Sequence, residues 1–191
     1  LLPLLSTMRR LVEGEVLQLT FRGTFAATEA TYLQVVEGKT ASLFGWAAAA
    51  GAWAAGIDGR VPAALVRVGE GLGIAFQLVD DALDYAADPT LLGKRLGADL
   101  AEGKATLPLI RACASVPGLR NRLGTVLEGE DAQAVAVEVV EAVKRVGGVE
   151  AARALARQHT ASALVALEGV PDGPHRRALR DAALALTERG F

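Results

Sequence analysis

Apolar residues recur at three- and four-residue intervals over most of this chain, the period of helices that bury one face. The pattern predicts a first helix over about residues 5–21, through Glu13-Gly14-Glu15-Val16-Leu17-Gln18-Leu19. Thr28 or its neighbour is placed to cap a second helix, which the pattern carries unbroken to about residue 55. Gly56-Ile57-Asp58-Gly59 ends it. Pro62 suits the first turn of a third helix that ends near Ala87. Asp88-Pro89 then opens a loop, rich in glycine and charge, that lasts until about Thr106. Shorter helices are predicted over 107–114, 119–127, 132–145 and 149–167, with Asp131 as an N-cap, and a last one over about 174–189. No apolar–polar alternation is long enough for a strand. The breaks between the later helices read as turns, so residues 1–191 are expected to form a single all-α domain.

Composition narrows this further. The 191 residues fit one domain with a substantial core. Aromatics are only 5% against 51% hydrophobic residues, so the core is Ala, Leu and Val, which favours packed helices. The formal net charge is -2 and no long basic run occurs, so no nucleic-acid partner is expected. Cys113 is the single cysteine, which excludes an internal disulfide and fits a reducing compartment, the cytoplasm. Residues 41–57 carry no charge, but they are rich in Ala and Gly and closely flanked by Lys39 and Asp58. They read as a tightly packed core helix, and no transmembrane span is expected. The Leu-Leu-Pro-Leu-Leu start is too short for a signal peptide. The chain begins without Met and enters a helical pattern almost at once, as the later portion of a longer protein would.

The chemistry concentrates in the third helix. Gln77, Asp80, Asp81 and Asp84 share one helical face among Phe76, Leu78, Val79, Leu83 and Tyr85. Crowded carboxylates repel and lose solvation, and no Lys or Arg stands between Gly73 and Asp88 to pair them. A hard cation such as Mg²⁺, bridging to a phosphate-bearing substrate, would neutralise them. A D-D-x-x-D string also occurs on solvated helices; the apolar neighbours favour a lined cavity. Lys39 lies on a stripe with Val36 and Leu43, inside the predicted second helix. An interior ammonium needs an anion, which the third-helix acids or a diphosphate would supply.

In the loop, Lys94 and Lys104 can donate to phosphate oxygens, and Asp99 can hold a lysine or a metal-bound water. Taken alone, that loop reads better as a solvated charged segment, and it lacks the P-loop pattern. Glu15 and Gln18 either face the same cavity or form an ordinary amphipathic surface. His159 and His175 lack zinc-ligand spacing, Cys113 reads as a packed thiol, and no nucleophile elbow occurs.

Four ordered blocks resemble trans-type polyprenyl diphosphate synthases. They are Glu13-Gly14-Glu15-Val16-Leu17-Gln18-Leu19, then Gly38-Lys39-Thr40-Ala41-Ser42-Leu43-Phe44, then Phe76-Gln77-Leu78-Val79-Asp80-Asp81-Ala82-Leu83-Asp84-Tyr85, then the segment from Gly93-Lys94 to Leu107-Pro108. The third and fourth look like the family's second aspartate-rich region. The resemblance is close over residues 1–110; beyond that only the helical character matches.

That resemblance implies an isoprenoid-synthase-type helical bundle around a central cavity, here without its N-terminal helices, and usually a homodimer. It implies condensation of isopentenyl diphosphate with an allylic diphosphate, aided by Mg²⁺. Asp80, Asp81 and Asp84 would be the second metal motif. Lys39 and Lys94 would bind the allylic diphosphate, Lys104 would help close the loop over it, and Thr40, Phe76 and Gln77 would line the substrate site. Gln18, where short-chain members more often carry Asp, leans toward a medium- or long-chain product.

The chain departs from the family pattern at Ala98, where a second Asp is common, and at Arg95. The first aspartate-rich motif would lie before Leu1, with the residues that grip isopentenyl diphosphate. These 191 residues alone are therefore expected not to catalyse the full reaction. A non-catalytic partner subunit of a synthase is the alternative, and a terpene cyclase a more distant one.

Overall fold

The structure, a computed structural model, describes residues 2–86, 98–126 and 132–188. Among them every regular element is helical. The chain runs α1 (Leu2–Phe21), α2 (Glu29–Val36), a π-helical turn (Glu37–Ala41), α3 (Ser42–Ala54), α4 (Arg60–Ala86), α5 (Ala98–Ala101), α6 (Leu107–Ser115), α7 (Leu119–Val126), α8 (Ala132–Arg145), α9 (Gly148–Leu167) and α10 (Pro174–Thr187). Thr28 caps α2 as its sequence position predicts: its Oγ1 accepts the Thr31 amide at 3.1 Å. The proposed N-cap Asp131 and the predicted ends at Ala87 and Arg189 lie outside the described residues.

The second helix is not continuous, which corrects the expectation above. At Glu37–Ala41 the ladder widens, and the Ser42 amide donates to the Glu37 carbonyl, five residues back. The Ser42 hydroxyl donates to the Gly38 carbonyl at 2.6 Å. The added residue turns the helix face, so Val36 is buried while Leu43 is exposed, although both were expected on one stripe.

The described residues gather into two compact units, and α4 contributes to both. The first comprises Leu1–Val16, Leu33–Gln77 and Leu155–Gly190. Its core includes Val68, Leu72, Ala163, Leu167 and Ala183. Here α4 and α9 cross at small residues: a Cβ on Gly71 would stand 3.0 Å from that of Ala163. The second unit comprises Leu17–Tyr32 and Leu78–Ala154. In it α6, α7 and α8 pack on one another, and Leu109, Leu123, Val139 and Val143 are fully buried.

Among the described residues, α4 alone is long and apolar enough to cross a membrane by length and composition. Half of its apolar window is buried within the protein, through residues such as Ala64, Val68, Ala75 and Leu78. Residues 41–57, weighed above for the same property, form the shorter α3 and its flanks.

Candidate functional site

The acidic stripe is built by the last turns of α4, in the second unit. Leu78, Val79, Ala82 and Tyr85 are buried and set the helix face, which leaves Asp80 exposed and Asp84 half-buried. Asp81 turns the other way and is 3% exposed. The Tyr32 hydroxyl of α2 donates to Asp81 Oδ2 at 2.6 Å. The acids are therefore not left without protein partners: Asp84 Oδ2 also accepts the backbone N–H of Asp99 at 3.1 Å. Among the described residues, no three His, Cys, Asp or Glu side chains gather into a metal-holding group.

The turn after α5 adds a cation to this side of the unit. Lys104 Nζ lies 2.8 Å from Asp99 Oδ1 and 2.8 Å from Glu102 Oε2. Burial pulls the Lys104 pKa down, but the bonds to Asp99 and Glu102 outweigh it and hold the group well above an ordinary lysine. It stays an ammonium. The turn is pinned to the end of α1: the Gly23 amide donates to the Gly103 carbonyl at 2.9 Å, and Arg22 Nε donates to the Glu102 carbonyl at 2.8 Å. Gly103 has φ +73°, and a Cβ there would meet the Gly23 nitrogen at 2.9 Å, so glycine is required twice over. Tyr85, fully buried, meets the Thr106 hydroxyl at 3.0 Å and joins α4 to the residue before α6. Burial raises the pKa of Tyr32, as does the charge of Asp81 beside it. Burial raises Tyr85 as well, against the Thr106 hydrogen bond.

Of the other predicted residues, Lys39, Thr40, Phe76 and Gln77 belong to the first unit. Lys39 sits in the π-helical turn, with Nζ 2.5 Å from Glu15 Oε2 on α1. Glu15 thus supplies an anion beside it. Thr40 Oγ1 donates to Gln77 Oε1 at 3.2 Å. Phe76 and Phe44 pack with ring centroids 5.6 Å apart. Gln18 is half-buried on α1, within the second unit. Lys94 lies outside the described residues.

The sequence reading missed Tyr32, Arg22 and Thr106. Tyr32 looks in sequence like a core aromatic; its partner stands 49 positions away and no local signal marks it. Cys113 is half-buried, and burial pushes its pKa up despite the nearby Arg120. Burial also lowers His159, against the pull of Glu37.

The family profile described as Polyprenyl synthetase matches residues 3–145. The octaprenyl diphosphate synthase of Escherichia coli (strain K12) is 40% identical over 170 residues, 88% of this chain and 53% of that protein. The crystal structure of a decaprenyl diphosphate synthase from Rhodobacter capsulatus superposes with a TM-score of 0.88 at 38% identity, covering 98% of this chain and 58% of that one. A polyprenyl synthase from Caulobacter crescentus CB15, complexed with calcium and isoprenyl diphosphate, gives a TM-score of 0.86 at 38% identity, with 98% and 58% covered. The chain spans about half the length of the curated relatives it matches.

Proposed function

We propose, because the chain belongs to the polyprenyl synthetase family, that it is part of a prenyltransferase. The whole protein would condense isopentenyl diphosphate with an allylic diphosphate to make a medium- or long-chain polyprenyl diphosphate. One observation carries this reading: the α4 carboxylates and Lys104 occur in one compact unit, joined through Asp99.

The donors fit a hard divalent cation. They are carboxylate oxygens, with Asp80 exposed and Asp84 half-buried one turn apart. Mg²⁺ is the ion this reading assigns to Asp80, Asp81 and Asp84; bound, it would offset the charge that develops on the departing diphosphate. The chain's own cations, Lys39, Lys94 and Lys104, would bind the allylic diphosphate by charge-assisted hydrogen bonds. Gln18, Thr40, Phe76 and Gln77 would line the substrate site, and the apolar side chains would keep water from a carbocation-like centre. A cytoplasmic location fits a lone reduced thiol at Cys113. A homodimer is part of the same reading.

Calorimetry with a non-hydrolysable allylic diphosphate analogue tests it. Binding that needs Mg²⁺ and disappears in an Asp80→Ala, Asp84→Ala variant is the expected result. No binding by the folded chain at any Mg²⁺ concentration would refute a diphosphate site on these residues.

A further inference from the structure

We propose that Tyr32 is a positioning residue for the acidic stripe, acting through Asp81. The inference rests on the metal–diphosphate reading above and extends it to a residue outside the aspartate motif.

The geometry is specific. The two side chains come from α2 and α4, and both belong to the second unit. Tyr32 is 6% exposed and Asp81 3% exposed, and their oxygens stand 2.6 Å apart. That distance is typical of a hydroxyl donating to an ionised carboxylate. A carboxylate has two oxygens and about four acceptor sites. Holding Oδ2 on the phenol restricts rotation of the group and so the directions open to Oδ1.

The same contact shapes the rest of the stripe. With Asp81 tied toward α2, Asp80 and Asp84 are the motif carboxylates with solvent access. With Oδ2 held by the phenol, Asp81 offers its other oxygen to the shared ion in a restricted orientation. Ion binding then requires less rearrangement at the moment of capture. A phenylalanine at position 32 would keep the aromatic packing and delete only the donor. Asp81 would then lose one of the contacts that set its rotamer.

Tyr85 provides an internal control. It is also a buried tyrosine of this unit with one short hydroxyl contact, but that contact is to Thr106 and not to the motif. A general loss of rigidity would follow from either substitution. A positioning effect would follow only from Tyr32→Phe.

The experiment compares the full chain, Tyr32→Phe and Tyr85→Phe, using inorganic diphosphate as the probe and Mg²⁺ as the titrant. Binding is read by calorimetry at a temperature where far-ultraviolet circular dichroism shows all three folded. The expected result is a rise of about ten-fold in half-saturating Mg²⁺ for Tyr32→Phe, and a change within about two-fold for Tyr85→Phe. Equal Mg²⁺ dependence in all three, or equal losses in the two variants, overturns the role of Tyr32 alone. Absence of Mg²⁺-dependent diphosphate binding by the unsubstituted chain overturns the functional reading as well.

Discussion

Gly14 on α1 touches the backbone of Lys39: a Cβ added to the glycine would stand 2.6 Å from the lysine amide nitrogen. Gly38 makes the reciprocal approach, with its would-be Cβ 2.8 Å from the Arg10 carbonyl oxygen. Neither neighbour can rotate aside, because both are main chain. Gly14→Ala is therefore expected to be destabilising, although alanine favours the helix by about 1 kcal/mol. Overpacking of this kind costs about 1–3 kcal/mol. Gly51→Ala is the contrast. Nothing lies within 4 Å of its would-be Cβ, and stability should rise by up to about 1 kcal/mol. Denaturant midpoints of the two variants should move in opposite directions.

The Tyr85–Thr106 contact is expected to support the second unit. Both groups are buried, and the hydroxyls are 3.0 Å apart. Tyr85→Phe leaves the Thr106 oxygen in a dry site without that partner, at a cost of about 1–3 kcal/mol. Thr106→Val, which removes the other partner, should cost a similar amount. The double variant should cost less than the sum, because one hydrogen bond is lost once. Thermal melts of the four proteins would measure this, and strict additivity would contradict it.

Much of this was legible in the sequence, and what was not has a common cause. Helical period gave α8 its observed C-terminal end at Arg145, and capping gave α2 its Thr28 cap, because those signals are local. Spacing put the three acids of α4 on one face, but Asp81 turns into the protein while Asp80 stays exposed. The π-helical turn at Glu37–Ala41 could not be read from spacing, because it accompanies the backbone approach of α1 at Gly14 and Gly38. Glu15 as the partner of Lys39, and Tyr32 as the partner of Asp81, were hidden for the same reason: each pair joins helices far apart in the chain. Spacing showed that Asp81 carried an acid into an apolar helix. It could not show that a phenol was waiting for it.

Stability should fall steeply in alkali. Tyr32 and Tyr85 both have pKa values raised by burial above the ordinary 10.0. Below pH 10 both stay protonated whether the chain is folded or not, so they contribute no slope. Above it the unfolded chain loses these protons first and binds fewer than the native state. Unfolding is then favoured as pH climbs toward the raised native values. Each tyrosine can contribute roughly 1.4 kcal/mol per pH unit in that window. Denaturant unfolding followed from about pH 9 to 11 should show a loss that begins near 10, and Tyr85→Phe should remove about half of the slope. A flat profile would show that the two phenols ionise normally.

The outer face of α1 bears on self-association. Leu5, Met8, Val12 and Val16 are each about half exposed or more, and their spacing places them on one helical stripe. An apolar stripe of that length favours cover, and a second copy of the chain supplies an identical one. The chain should therefore sediment as a dimer at micromolar concentration. Val12→Glu would set a charge at the middle of the covered stripe, where an unpaired ion costs about 3–5 kcal/mol. Since every 1.4 kcal/mol is ten-fold, the dimer dissociation constant should rise by about a hundred-fold or more. Because Val12 is already exposed, the monomer's own melting should be little changed. Sedimentation equilibrium on both proteins decides it: a monomeric unsubstituted chain, or a Val12→Glu variant that associates as tightly, would remove α1 from the dimer.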